Sequence, residues 1–287
     1  MPFTNLCNEC HEPLRDDLAL CPHCGRPGLF PNVHAAERVP ERDALQARYE
    51  AALTDAKSRG TEAALAQLEA LVTNSSAVIA RQFGELVRLT YSEDEIYATF
   101  YQRVEAGLRL PGGDRWDRLR AVADTLLFGE RNKTQVRFAA LALDGSGLEN
   151  YGDCSITLKS AMIAHRASAF EENTVLFMRK HDVRAENDYR MPPGYRAPWS
   201  GRQILAVAKL GPQVEPAFTR NDFERLLLSN GPDSESDQFI EIHIWGPLTI
   251  RSIHEISVRR WITEPSPTEL KCLEEKLAQY KIAFRKP

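Results

Sequence analysis

Three features of the 287-residue chain predict an α+β fold in three parts. These are a pair of CxxC knuckles within residues 1–32, helical periodicity over residues 33–130, and short β-rich runs over residues 131–287.

The knuckles are LCNEC and LCPHC, carrying Cys7, Cys10, Cys21 and Cys24. Two residues between cysteines let both thiolates of a knuckle reach one ion, and two knuckles complete a tetrahedral S4 shell. This predicts a zinc ribbon. A closed shell leaves no position for water, so the Zn2+ is expected to be structural. Pro22 stiffens the second knuckle, and Gly25 and Gly28 permit the positive φ that metal turns need. His11 and His23 could replace a thiolate, although four cysteines suffice. The competing reading is a pair of disulfides, which suits a secreted mini-domain. Whether the ribbon is a structural cap or a surface touching nucleic acid or a partner stays open at this level. Cys154 and Cys272 are single and are read as buried thiols.

Hydrophobic residues at 43% and charged residues at 26% allow a sizeable core, and a net charge of -4 excludes a uniformly basic nucleic-acid coat but not a local patch. Neither an apolar run of the length that spans a bilayer nor a charged-then-apolar leader is visible, so the expectation is a cytoplasmic protein with no membrane partner.

In the middle region, Leu45, Tyr49, Leu53 and Ala56 recur at helical spacing before a stop at Gly60, and Leu65, Leu68 and Leu71 repeat the pattern after Thr61. Two antiparallel helices are expected. Further helical stripes are Val78, Phe83, Leu86 and Leu89, then Ile96, Phe100 and Val104, then Trp116, Leu119, Val122 and Leu126 behind a capping Asp114. From about Thr134 the pattern changes. Residues 136–143, 154–159, 174–178, 203–210, 239–245 and 254–261 are short, β-rich and bounded by turn formers, with helices expected around Met162, after Asn221, and beyond Pro265 and Pro267. A long loop over residues 184–201 interleaves Arg184, Arg190 and Arg196 with Tyr189, Tyr195 and Trp199, just before Arg202, a composition able to stack on bases or clasp phosphates; a packed surface loop is the other reading.

The most chemical segment is QFIEIHIWGPL. Period-two alternation puts Phe239, Glu241, His243 and Trp245 on one face and Ile240, Ile242 and Ile244 on the other, the core face. On a central strand a carboxylate costs desolvation energy unless it is paired or used. On an edge strand the same face would be solvated and Glu241 would carry no meaning.

The stretch IEIHIWGPLTIRSIHEISV resembles the last motif of the ADP-ribosyltransferase superfamily, in which a catalytic glutamate on a strand is followed by an apolar-alternating tail and a return strand. Glu241 stands at the glutamate and residues 254–258 at the return strand. NYGDCSITLKSAMIAHRASAFEENTVLF is similar to a segment of bacterial proteins grouped with that superfamily, with Tyr151-Gly152 opening a strand and Arg166-Ala167-Ser168 leading into the next. Phe239 departs from the Glu or Gln carried there by arginine-directed members.

The resemblance implies an ADP-ribosyltransferase-type α+β domain that transfers ADP-ribose from NAD to a macromolecular acceptor. Glu241 would stabilise an oxocarbenium-like sugar, with His243 in support. Arg137 or Arg166 would pair with the pyrophosphate, Tyr151 would stack on nicotinamide, and Ser168 would hydrogen-bond beside it. It also implies a toxin or phage-defence effector, with the acceptor open between protein, DNA, RNA and small molecule, and with an antitoxin or chaperone as a conceivable partner. Two other readings stand beside it. One is a non-catalytic zinc-ribbon module that binds nucleic acid or protein. The other is a divergent nuclease built on Asp233, Glu241 and His243. GxxxxGK[ST], HExxH and GxSxG are all absent.

Overall fold

A computed structural model describes residues 5–7, 9–14, 20–26, 30–88, 96–107, 115–184, 189–261 and 264–287. The expectations placed on Gly28, Leu89 and Asp114 lie outside these residues.

The chain begins with a short antiparallel pair, β1 (Asn5–Leu6) and β2 (Pro13–Leu14), beside the cysteines. Helices α1 (Pro31–Ala36), α2 (Val39–Arg59) and α3 (Glu62–Thr73) follow. Gly60 ends α2 with φ 68°, as its sequence position implies.

Strand β3 (Ser76–Arg81) comes next, then α4 (Phe83–Val87), α5 (Phe100–Glu105) and α6 (Arg115–Phe128). The remaining elements are β4 (Val136–Ala142), β5 (Cys154–Leu158), α7 (Ser160–Ile163), β6 (Ala167–Phe170), α8 (Thr174–Lys180), β7 (Arg196–Pro198), α9 (Arg202–Leu210), α10 (Arg220–Leu227), β8 (Glu241–Trp245), β9 (Ile253–Val258), α11 (Pro267–Gln279) and β10 (Ala283–Arg285).

The described residues assemble an eight-stranded mixed sheet in the order β10-β9-β5-β3-β4-β8-β6-β7. Neighbours pair antiparallel except the edge pair β10 and β9. The α+β class expected from sequence is therefore present, with a strand contributed by the stretch read as helical. Ser76–Arg81 carries Val78 and Ile79, and its four inner residues are buried between β4 and β5. A strand buried on both faces shows no alternation, so its apolar run was absorbed into the helical stripe through Phe83 and Leu86.

Two segments read as strands are helices. Residues 203–210 form α9, because Gln, Leu, Ala and Lys favour helix, and its buried Leu205, Ala206, Val207 and Leu210 fit between the sheet and the α2–α3 pair. Thr174–Lys180 is helical because the Asn173 side chain accepts hydrogen bonds from the amides of Val175 and Leu176, a cap that overrides the β propensity of Thr-Val. Cys154 is buried as expected, but Cys272 is exposed. On α11 the buried stripe is Leu273 and Leu277, and Cys272 lies off it.

One face of the sheet carries Ile240, Ile242, Ile244, Ile79 and Leu141 and is closed by α2, α3 and α9 into the principal apolar core. The opposite face carries Glu241 and His243 and is covered by α6 and α8. The candidate site lies there.

Candidate functional site

Strand β8 sits between β4 and β6, so it is central and the solvated-edge alternative does not apply. Across the sheet Glu241 aligns with Ala140 on β4 and Phe170 on β6, and Ala140 in turn aligns with Val78 on β3. His243 aligns with Phe138 and Ser168. The short side chain of Ala140 leaves a cavity of about 480 Å³ above this row, lined among others by Tyr97, Arg120, Asp124, Tyr151, Thr174 and Glu241. That volume lies within the range of small-molecule and cofactor sites.

Glu241 is 6% exposed and held at one carboxylate oxygen. Oε2 accepts from the Thr174 hydroxyl at 2.8 Å, the Thr174 amide at 3.3 Å, and meets Nε2 of His243 at 3.0 Å. His243 is itself enclosed by the rings of Phe128, Phe138 and Phe170, with centroids at 5.0, 5.3 and 5.6 Å. An imidazole caged in this way orients the carboxylate from behind.

Helix α6 brings the opposing wall. Asp117, Arg120 and Asp124 stand at i, i+3 and i+7, one helical face, and that face turns inward. Asp117 and Asp124 are buried while Val122, from the expected apolar stripe, is 42% exposed. Leu119 and Leu126 of that stripe are half-buried, so the expected side is only partly covered and the most buried polar side is the one that carries Asp117 and Asp124. The cleft is polar, so Asp117, Arg120 and Asp124 line it, while Ala123 and Phe128 of the same helix are buried as well.

Burial works against the charge on Arg120, but Tyr97, Asp124, Tyr151 and Glu241 around it outweigh that and raise its pKa. Burial pushes the Asp124 carboxyl up to about 7, against the opposing pull of Arg120 and of the Tyr101 hydroxyl, which donates to it at 3.0 Å. Burial also raises Tyr151 to about 12. At the far end of the cleft, Arg81 lies over the Tyr97 ring at 4.1 Å, and Arg81 and Arg103 share Glu85.

Tyr151 reaches the cleft through a turn that only glycine can complete. Gly152 has φ 152°, and a Cβ there would fall 2.1 Å from the carbonyl carbon of Arg81. The turn is pressed directly on β3.

The structure brings Glu241, His243, Ser168 and Tyr151 to one face and places the two expected arginines elsewhere. Arg137 pairs in register with Ile244, which puts it on the opposite face, and its Nη1 donates to the Gln135 carbonyl. Alternation along β4 dictates that, since Phe138 is the residue beside His243. Arg166 donates to the carbonyls of Met162, Trp245 and Pro247, clamping the end of β8. The Ser168 hydroxyl accepts from Asn32, whose side-chain amide also donates to the carbonyls of Arg166 and His243. Arg120, Asp124 and Thr174 were missed by the sequence reading; the polar i, i+3, i+7 spacing on α6 was the available signal.

The long loop is mostly packed inward. Arg196 pairs with Glu41 at 2.9 Å. Arg202 donates to Ser75, Trp199 and Thr73, and Tyr195 lies against Phe177, His181 and Arg48. Tyr189 and Arg190 remain exposed. Asp233 closes an exposed turn by accepting from Ser236 and Glu235, so it does not join Glu241 as a nuclease carboxylate would have to.

Away from the cleft, the four cysteines form a cluster able to hold a metal ion such as zinc, with all Sγ atoms within 4.8 Å of one another. Cys7 and Cys24 approach to 3.6 Å and Cys10 and Cys21 to 3.5 Å, close to the roughly 3.8 Å edge of a tetrahedron with ~2.3 Å metal–sulfur bonds. All are free thiols, so the disulfide alternative does not hold.

The two knuckles repeat one backbone pattern. The amide of Cys7 donates to Glu12 and that of Cys21 to Arg26, while the amide of His11 donates to Cys7 and that of Gly25 to Cys21. The left-handed position is Gly25 in one knuckle (φ 69°) and His11 in the other (φ 57°). Amides of Cys10 and Glu9 lower the Cys7 thiol to about 6, whereas at Cys10 and Cys24 the pull of the backbone amides is outweighed by burial and the neighbouring sulfurs, which raise both thiols.

No protein-family model matches the chain, and no curated protein matches it in sequence. Among the described residues no helix is long and apolar enough to cross a membrane.

Proposed function

We propose that the chain is an ADP-ribosyltransferase that cleaves NAD at the cleft over β8 and passes ADP-ribose to a macromolecular acceptor. The observation that carries this reading is a buried carboxylate, Glu241, on a central strand at the floor of a cofactor-sized cleft that also holds Tyr151 and an arginine. The motif resemblance selects the same glutamate. Arg120 takes the part that Arg137 and Arg166 cannot, since both are committed on other surfaces.

In the reaction the bond between C1′ of the ribose and nicotinamide lengthens and positive charge develops on the sugar. Glu241, fixed by Thr174 and His243, stabilises that charge from the floor of the cleft. Arg120 is placed for the pyrophosphate, with Arg81 and Arg103 extending the cationic lining, and Tyr151 offers a ring for the nicotinamide. The ADP-ribosyltransferase-type fold, NAD as substrate and the effector role all belong to this proposal.

The full chain incubated with NAD and cell extract is expected to release nicotinamide. Glu241→Gln keeps size and hydrogen bonding but removes the charge, and should slow release on the order of a hundredfold or more. A fully active Glu241→Gln protein would sink the reading.

The four-cysteine cluster is proposed to hold one structural zinc, because four thiolates leave no open position. Elemental analysis should give one zinc per chain, lost in Cys10→Ser. A preparation that is folded and metal-free would remove this part of the proposal. Acceptor recognition by the cysteine knuckles is the role proposed for them.

A further inference from the structure

Besides Glu241 the cleft is lined by Glu85, Asp117 and Asp124, none of which the transferase reading uses, and Asp124 is the most enclosed of them. Asp124 is 2% exposed, lines the same cavity as Glu241, and comes from the opposite wall. The surroundings of the two differ. Glu241 Oε2 is fixed by Thr174 and His243. Asp124 receives the Tyr101 hydroxyl, with Arg120 one turn back on its own helix.

The charged and titratable groups facing Asp124 are Tyr101 from α5, Asp117 and Arg120 from α6, Lys133 from the following turn, and Glu241 from β8. Tyr97 and Tyr151 act on it through Arg120. Burying a carboxyl near another carboxylate works against folding unless the group is paired or used. Two carboxyl groups in one cleft with unlike surroundings are the arrangement that separates an electrostatic role from a proton-transfer role.

Resting on the transferase reading, we propose that Asp124 is the proton acceptor for the incoming nucleophile, and that the acceptor is a neutral, proton-bearing group such as a hydroxyl or a base N–H. As the C1′–nitrogen bond breaks, its electron pair leaves with nicotinamide. A lone pair of the acceptor forms the new bond to C1′, and the acceptor's proton passes to the Asp124 carboxylate and then to solvent. Arg120, whose charge acts on both carboxylates, limits their repulsion while both are charged. A base titrating near neutrality is ionised in part and still able to hold the proton, which is where general-base efficiency is greatest.

The test uses the full-length protein, NAD as probe, and nicotinamide release and label transfer as readouts, measured from pH 5.5 to 9. Wild-type rate is expected to rise with pH through about 7. Asp124→Asn should lose on the order of a hundredfold at pH 8 and flatten the profile. Asp124→Glu should restore part of the rate and the slope.

If Asp124→Asn does not fold, Tyr101→Phe serves instead. It removes the hydroxyl that holds Asp124 down, so the midpoint of the profile should move up; an unmoved midpoint overturns the proposal. Turnover lost in Glu241→Gln but unchanged in rate and pH profile in Asp124→Asn ends this inference and leaves the transferase reading intact. Wild-type protein that never releases nicotinamide ends both.

Discussion

The two faces of strand β8 make opposite use of burial. On one, Ile240, Ile242 and Ile244 are fully buried in the apolar core that α2, α3 and α9 help to close, with Arg137 buried beside Ile244 at its end. On the other, Glu241 and His243 are nearly as enclosed, but among a threonine, a caging set of phenylalanines and the charged wall of α6. The first face stabilises the fold. The second works against it, since each buried charge needs a partner to offset its desolvation. A sheet that spends stability on one face while recovering it on the other is what a working site on a rigid floor requires.

The largest effects should separate these faces. Ile242→Ala leaves a cavity in a dry core and should cost about 2–5 kcal/mol in urea unfolding. Glu241→Gln, one residue away, should cost far less stability while removing activity. Equal stability losses from both would mean that the Glu241 face is simply another part of the core.

Asn32 links the outer helix α1 to the polar face, donating to Ser168 and to the carbonyls of Arg166 and His243. Asn32→Ala leaves those acceptors buried and should cost about 1–3 kcal/mol, read as a lower unfolding midpoint. A change well below about 1 kcal/mol would show that the segment is loosely held and that the face does not depend on it.

A smaller effect is a slope with pH. Asp124 has its pKa raised from 3.8 to about 7, so the folded protein holds this proton more tightly than the unfolded chain does. Stability from this site is therefore full below pH ~4, falls as pH rises, and is lost above about 7. Thermal midpoints at pH 5 and pH 8 should differ less in Asp124→Asn than in wild type. Identical slopes in the two proteins would place Asp124 in an ordinary solvated setting and weaken the contrast between the faces.

Local chemistry was enough to read much of this molecule. Cysteine spacing gave the four-sulfur cluster because the ligands of each knuckle are neighbours in sequence. Gly60 ended α2, and the strands of residues 136–142, 154–158, 241–245 and 253–258 followed from β-rich runs between turn formers. Alternation placed Glu241 and His243 together, since a strand carries that information in itself.

Other features depended on partners distant in the chain. Ser76–Arg81 became a strand only because β4 and β5 flank it, and residues 203–210 became a helix because the Ile face needed a cover. The inward turn of Asp117, Arg120 and Asp124 was decided by what α6 packs against. A helix can hide either of its faces, and the polar face was hidden here because the floor beneath it was already charged. Arg137 was sent to the far side by the register of β4 against β8, a pairing set by residues more than a hundred positions apart. The sequence by itself determined which residues could do chemistry. Tertiary packing decided which of them meet, because burial and charge neighbours are properties of the assembled sheet rather than of any segment in it.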